Sequence, residues 1–161
     1  MRWTGVVEPG SVCKTPVSTV DYLPTFTDLA GADRPDSQLC DGMSLLPLFK
    51  GGSAAERQIF WHFPLYLYGP GLEIPLAGGQ TAKWRGFPST AMRKGKWKAI
   101  EFLEDHHVAL YDLETDPGET QDLSADFPEM TEQMRRAIHA WQEQVDAPVP
   151  EERNPDFLGR R

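Results

Sequence analysis

Cysteines and histidines are the side chains of this 161-residue chain that could act as nucleophiles, bases or metal ligands. A cysteine nucleophile needs a neighbouring base, and neither Cys13 nor Cys40 lies in a motif that supplies one. The two cysteines cannot form a disulfide framework, and they lack the C-x-x-C spacing of a zinc site. The four histidines include no H-E-x-x-H pair. Residue types and spacings alone therefore assemble no active site.

The acidic tract that begins at Asp112 has the spacing that opens an EF-hand calcium loop. Asp112, Glu114 and Asp116 occupy the first three ligand positions of such a loop. Pro117 then stands where the loop requires glycine, and Leu123 stands where it requires a bidentate glutamate. The glycine-rich phosphate-binding motifs are missing as well. The pattern therefore predicts neither a calcium loop nor a phosphate cradle.

His62 is the titratable residue best placed for function, because it lies between a strand-like tract and a long segment, residues 64–88. That segment is rich in proline, glycine and aromatic residues, and we expect it to be a loop. Structureless loops of this length are uncommon inside compact domains and are often functional. Two interpretations of His62 stay open: it contacts a ligand, or its hydrogen bonds are satisfied at the strand end.

Charge is distributed unevenly along the chain. The net charge of −8 argues against a nucleic-acid partner, and no apolar run reaches the ~20 residues that cross a bilayer. No signal peptide is visible, and the sequence indicates no compartment. Residues 83–98 carry basic side chains and no acidic ones, whereas residues 99–134 carry acidic side chains and no Lys or Arg. This pattern fits either a basic loop that faces an anion or a solvated hairpin beside a solvated helix.

The first element indicated by the pattern is a helix over residues 21–30. Asp21 is a candidate N-cap, Pro24 lies in the first turn, and Gly31 marks the C-terminal end. Leu23, Phe26 and Ala30 are spaced to share one face of this helix.

The second half of the chain predicts an antiparallel sheet covered by a helix. Strand-like tracts at 58–63, 90–93, 97–103 and 108–113 are joined, after the long loop, by short turns. A helix is expected over 127–146, with a capping box of Asp126 and Glu129. Its apolar stripe should pack on the sheet and contains Met130, Met134, Ile138, Trp141 and Val145. The fold class is therefore α+β, with a small sheet of about four strands and a long C-terminal helix.

Several tracts, in chain order, resemble the C-terminal portion of the sulfatases, sulfuric ester hydrolases of the alkaline phosphatase superfamily. Residues 2–5 are similar to the family's R-W-P-G turn, with Thr4 in place of proline. Residues 41–48 match D-G-x-S-L-L-P-L, and residues 110–123 match L-Y-D-L-x-x-D-P-x-E-x-x-N-L with Asp122 in place of asparagine. The other similar tracts are 9–11, 18–25, 29–31, 60–64, 91–98 and 154–157.

The resemblance implies that the catalytic groups lie outside this chain. In sulfatases the nucleophile is a formylglycine made within Cys/Ser-x-Pro-x-Arg, a motif that neither Cys13 nor Cys40 fits. The family's calcium ligands and sulfate-binding residues lie upstream of the R-W-P-G turn. We therefore expect no catalytic residue, metal ligand or cofactor here, and no turnover by the chain alone. Its expected partner is the upstream sulfatase half, and a sulfate ester would be its substrate only in the complete enzyme.

The resemblance also suggests a division of the chain and a role in substrate recognition. Residues 1–52 would be the end of the large α/β catalytic domain, and residues 53–161 the sulfatase C-terminal subdomain. Candidate substrate-binding residues lie on or beside the long loop: His62, Tyr66, Tyr68, Lys83, Trp84 and Arg85. The alternative is a free-standing, non-catalytic module that binds a protein or an anionic glycan.

Overall fold

The computed structural model describes residues 2–33, 38–75, 81–152 and 154–155, with the backbone path alone over 68–75 and 81–85. These residues divide into two compact units, 1–57 and 58–161. We refer to them as the N-terminal unit and the sheet unit. The domain boundary expected between residues 52 and 53 stays a prediction.

The N-terminal unit is built around helix α1, Tyr22–Ala30, which follows a 3₁₀ turn, Thr19–Asp21. A further helical turn, α2, spans Leu46–Phe49. Gly31 ends α1 in the left-handed conformation, with φ of 61°, and its N–H donates to the Asp28 carbonyl at 3.2 Å. Helix α1 therefore lies where the sequence predicts it, one residue later at its start.

The environment of α1 differs from the expected one. Leu23 and Phe26, predicted to share an apolar face, are 46% and 59% exposed, whereas Pro24 and Thr25 are buried. Asp21 occupies the N-cap position of α1, as predicted, but its side chain makes no capping hydrogen bond there. Its carboxylate instead accepts hydrogen bonds from donors in three other segments, which are described below.

The sheet unit contains a four-stranded antiparallel sheet in the order β1-β4-β5-β6 and a two-stranded ribbon, β2-β3. The strands are β1 Gln58–Phe63, β2 Leu67–Pro75, β3 Thr81–Gly86, β4 Ser89–Lys94, β5 Trp97–Phe102 and β6 Val108–Asp112. Gly95, with φ of 57°, makes the tight β4–β5 turn. The predicted α+β architecture with a small antiparallel sheet is confirmed.

The β2-β3 ribbon corrects the expectation of a structureless loop over residues 64–88. Its two strands pair antiparallel, with Leu67 opposite Gly86 and Ile74 opposite Ala82, and the register shifts between Tyr68 and Leu72. Pro and Gly in this tract suggested a loop, but an irregular two-stranded ribbon tolerates both residues at its bulges.

Helix α3, Pro128–Gln144, covers one face of the sheet. Its Met134 and Ile138 are buried against Met92, Ala99 and Leu110 of the sheet, which form the centre of the core. Burial of each Met, Ile or Leu side chain among them stabilises the fold by about 1.5–3 kcal/mol. Within the described residues, no helix is long and apolar enough to span a bilayer.

The N-terminal end of α3 differs from the sequence expectation. The N-cap is Phe127, which makes no side-chain capping bond, so the predicted box of Asp126 and Glu129 is wrong. Pro128 at the first position needs no N–H partner, and its preset φ suits a helix start. Trp141 continues the apolar stripe by stacking on Phe60, with ring centroids 4.8 Å apart.

Candidate functional site

A row of polar residues crosses the sheet on the face that α3 covers. His62 on β1 lies opposite Thr90 on β4, and Thr90 lies opposite Glu101 on β5. Thr90 and Glu101 are both buried. Helix α3 supplies a partner to each of these two residues, Gln142 to Thr90 and His139 to Glu101. The apolar core therefore gives way at this end of the sheet to a layer of hydrogen-bonded polar groups.

His62 has hydrogen-bond partners at both ring nitrogens. The Thr90 hydroxyl accepts from Gln142 Nε2 at 2.8 Å, which leaves its own proton for His62 Nδ1, also at 2.8 Å. His62 Nε2 then donates to the Pro148 carbonyl at 3.0 Å. This geometry matches the interpretation of a histidine satisfied at a strand end. A ligand contact by His62 stays a prediction, and it would require one of these bonds to open.

Glu101 forms the centre of a cluster that sequence reasoning missed. Its carboxylate is 1% exposed, and His139 Nε2 lies 2.9 Å from both of its oxygens. His106, in the turn after β5, places Nδ1 3.6 Å from Glu101 Oε1. The alternation of side chains along β5 could have indicated that Glu101 is buried, because it puts Glu101 on the same face as buried Ala99.

The Glu101 cluster lines an open cavity of about 430 Å³ between the sheet and the end of α3. Leu103, Ala147 and Val149 form its apolar wall, and the exposed acidic side chains of Glu143 and Asp146 also line it. Like charges repel, so this cavity is unsuited to a sulfate group. A histidine held by a buried carboxylate can move protons, but the sequence and the described contacts provide no nucleophile beside it.

Tyr66 lies at the base of the ribbon rather than on it. Its hydroxyl donates to Glu104 Oε1, and its ring contacts Phe87 edge-to-face with centroids 6.2 Å apart. The other four predicted binding residues fall on the two strands of the ribbon, and their side chains lie outside the described part of the structure. These four are Tyr68 on β2 and Lys83, Trp84 and Arg85 on β3. The substrate-binding role of all six predicted residues stays a prediction.

Two lysines of the basic stretch are neutralised within the sheet unit. Lys96 Nζ lies 2.6 Å from Asp112 Oδ2, and Lys98 Nζ lies 2.6 Å from Glu119 Oε1. The hydrogen bond to Asp112 raises the pKa of Lys96, and the same bond lowers the pKa of Asp112. These two lysines, which belong to the basic part of the sequence, therefore form ion pairs in the fold with carboxylates of the acidic part.

The D-P-x-E tract also has a structural explanation. The Asp116 carboxylate accepts from the N–H groups of Thr120 and Gln121, and the Gln121 bond contributes most to lowering its pKa. Burial raises the pKa of Asp122, but the N–H groups of Leu110 and Ser124 outweigh it and lower the pKa overall. These bonds fold the chain back onto β6.

In the N-terminal unit, Asp21 joins two of the tracts that resemble sulfatases. Its buried carboxylate accepts from the N–H of Ser18 at 2.7 Å, from the N–H of Met43 at 3.0 Å, and from both terminal nitrogens of Arg57. Burial raises the pKa of Asp21, but these hydrogen bonds, with that of Arg57 foremost, outweigh it and hold the pKa low. Gly42 is required here because a Cβ would lie 2.0 Å from the Val20 carbonyl oxygen.

Metal binding finds no support in the described residues, where no group of three His, Cys, Asp or Glu side chains could hold an ion. The thiol of Cys13 is exposed, and its pKa is lowered chiefly by the Thr15 side chain and then by the Thr15 backbone. Among the described residues no such group fits the calcium of the sulfatases, and neither cysteine lies in the formylglycine motif Cys/Ser-x-Pro-x-Arg. That these groups belong to an upstream part stays a prediction.

Comparisons with known proteins identify the family. The family described as N-sulphoglucosamine sulphohydrolase, C-terminal, matches residues 1–144. A sulfatase of Formosa agariphila is 28% identical over 92% of this chain and 27% of its own length. Arylsulfatase K of Mus musculus is 31% identical over 71% of this chain and 19% of its own length. The chain thus spans about a quarter of the curated relatives that it matches.

A solved structure supports the fold assignment. The crystal structure of Ps i-CgsB has a TM-score of 0.65 at 24% identity and covers 94% of this chain and 29% of that protein. A second structure of Ps i-CgsB, bound to k-i-k-neocarrahexaose, has a TM-score of 0.56 at 25% identity and covers 86% of this chain. The residue tracts, the fold and the family match agree, and the chain belongs to the C-terminal domain family of the sulfatases.

Proposed function

We propose that this chain is the C-terminal part of a sulfuric ester hydrolase, in which it supplies structure and substrate recognition rather than the reacting groups. The observation that carries the proposal is the family match over residues 1–144, combined with coverage of about a quarter of each relative. The motif residues described above support it, because Asp21, Asp116 and Asp122 are engaged in holding the backbone together. The nucleophile and the calcium site would then belong to the remaining three quarters of the enzyme.

The exposed apolar face of α1 supports the proposal that another part of the enzyme packs against this helix. Tyr22, Leu23, Phe26 and Leu29 are 53%, 46%, 59% and 39% exposed, although a helix of a folded domain normally buries its apolar side chains. The relatives extend over about four times the length of this chain, so the missing sulfatase part is the occupant we assign to this face. Its packing there would remove the four side chains from water.

Substrate recognition is assigned to the ribbon. Its strands carry one tyrosine, one tryptophan and two basic residues among the candidates, a set that suits the sugar rings and the charge of a sulfated glycan. Ps i-CgsB, about a quarter of which resembles this chain in fold, was crystallised with an oligosaccharide. We therefore propose a sulfated carbohydrate as the substrate class of the complete enzyme.

An activity assay tests the proposal. The purified 161-residue chain is incubated with a chromogenic aryl sulfate and calcium, beside the same chain extended by whatever its gene encodes upstream. We expect no turnover above a buffer blank for the chain alone, and turnover for an extended protein that contains Cys/Ser-x-Pro-x-Arg. Turnover by the chain alone contradicts the proposal, and so does an extended protein with an intact motif that releases sulfate from neither the aryl sulfate nor a sulfated carbohydrate.

Size-exclusion chromatography with thermal unfolding distinguishes the alternative of a free-standing module. An exposed α1 face predicts self-association of the isolated chain, which Phe26→Glu should reduce while Thr27→Glu on the same helix should not. A monomer with one sharp unfolding transition, unchanged by Phe26→Glu, would favour the independent module.

A further inference from the structure

The chain segment after α3 is tied back to the sheet unit at two points. The Pro148 carbonyl accepts from His62 Nε2 at 3.0 Å, and the Asn154 N–H donates to Glu104 Oε2 at 3.1 Å. Between these points, residues 150–152 lie against the turn after β5 and border a pocket of about 110 Å³. We name residues 147–152 and 154–155 the C-terminal strap.

Glu104 binds the base of the ribbon through its other oxygen. Oε1 accepts from the hydroxyl of Tyr66, the residue before β2 begins at Leu67. The Tyr66 ring contacts Phe87, the residue directly after β3, at an interplanar angle of 70°. The residue before β2 and the residue after β3 therefore contact each other as an aromatic pair, and Glu104 accepts a hydrogen bond from the tyrosine of that pair.

We infer that Glu104 is a positioning residue, which fixes the ribbon by joining its base to the C-terminal strap. The two oxygens of a carboxylate accept independently, so one side chain can hold the Tyr66 hydroxyl and the Asn154 N–H together. The consequence for recognition rests on the proposed function. The ribbon carries Tyr68, Lys83, Trp84 and Arg85, so the strap would hold the substrate-binding segment in position.

Hydrogen exchange measured by mass spectrometry tests this role on the 161-residue chain. Glu104→Ala removes both acceptors, and we expect amides of residues 67–75 and 81–86 to exchange about fivefold faster or more. Glu104→Gln keeps a single acceptor oxygen, so its effect should be intermediate. Glu143→Gln on α3 is the matched control and should leave the ribbon unchanged.

Tyr66→Phe distinguishes a specific connection from a general loss of stability. It removes one donor and keeps the ring, so alone it should raise ribbon exchange, and in the Glu104→Ala background it should add nothing. Unchanged ribbon exchange in Glu104→Ala, or an equal rise across β5 and α3, would overturn the inference. Because exchange is measured without substrate, its outcome is independent of the sulfatase assay.

Discussion

Two buried carboxylates, one in each unit, are compensated in different ways. Asp21 is fully buried and receives the Arg57 guanidinium together with two backbone N–H groups. Glu101 is 1% exposed, and its described side-chain partners are the imidazoles of His139, at 2.9 Å, and His106, at 3.6 Å. Removing a carboxylate from water is costly, so each site needs its partners.

The difference separates a fixed structural centre from an adaptable site. Arg57 carries a permanent charge and forms a two-point contact, which holds the tracts around Ser18 and Met43 in one arrangement. Glu101 instead contacts the imidazole nitrogens of His139 and His106, and its carboxylate lies at the wall of an open cavity. Asp21, which lies in a sulfatase-like tract, is thus the more rigidly held carboxylate. Glu101, which lies in none of these tracts, borders a cavity that a ligand could enter.

The largest expected effect is on the Asp21 centre. Asp21→Ala leaves Arg57 and two N–H groups without their acceptor, and we expect the N-terminal unit to lose about 3 kcal/mol of stability. The measurement is hydrogen exchange of residues 18–57 as a function of denaturant. Asp28→Ala, an exposed position on the same helix, is the control. Equal protection in both variants would show that the centre is dispensable.

A smaller effect is expected at Glu101. His139→Leu removes the closest partner of a buried carboxylate, which should cost the sheet unit about 2 kcal/mol in chemical unfolding. Adding Glu101→Leu removes the unpaired charge, so the double variant should be more stable than His139→Leu alone. A double variant less stable than the single one would mean that the carboxylate is satisfied without His139.

The smallest effect is the acid response of Asp21. Its pKa in the fold lies below the ordinary value of 3.8, because hydrogen bonds outweigh burial. The carboxylate therefore stabilises the fold above that value, and the contribution is lost as the pH falls through the folded pKa. Melting temperatures between pH 6 and pH 3 should fall less steeply for Asp21→Asn. Some slope should remain, because Asp112, Asp116 and Asp122 also have lowered pKa values. Identical slopes would contradict the assignment.

The secondary structure of the chain was largely predictable. Periodicity placed α1, the four strands of the sheet and α3 to within a few residues, because alternating and helical apolar patterns report local geometry. The ribbon over β2 and β3 was missed, since Pro and Gly mask the pairing of an irregular hairpin. Neither predicted side-chain capping bond forms, although Asp21 does occupy the N-cap position of α1. Asp21 is held by donors from distant segments, and Phe127 stands at the start of α3.

The candidate sites were less predictable than the fold. His62 was singled out by its position, and the structure shows why that position is polar: Thr90 and Pro148 come from segments 28 and 86 residues away. Glu101 gave no motif signal, and its histidines lie in the β5–β6 turn and on α3. Contacts between residues so far apart in sequence have no local pattern.

The sequence by itself determined the family, the absence of a sulfatase nucleophile motif around Cys13 and Cys40, and the α+β pattern of strands and helices. These depend on residue identity and on spacing along the chain. Only the tertiary structure decided which charges meet: Asp21 with Arg57, Lys98 with Glu119, Glu101 with His139. The physical reason is that burial and long-range pairing set the energy of a charged group, and both exist only once distant segments have packed together.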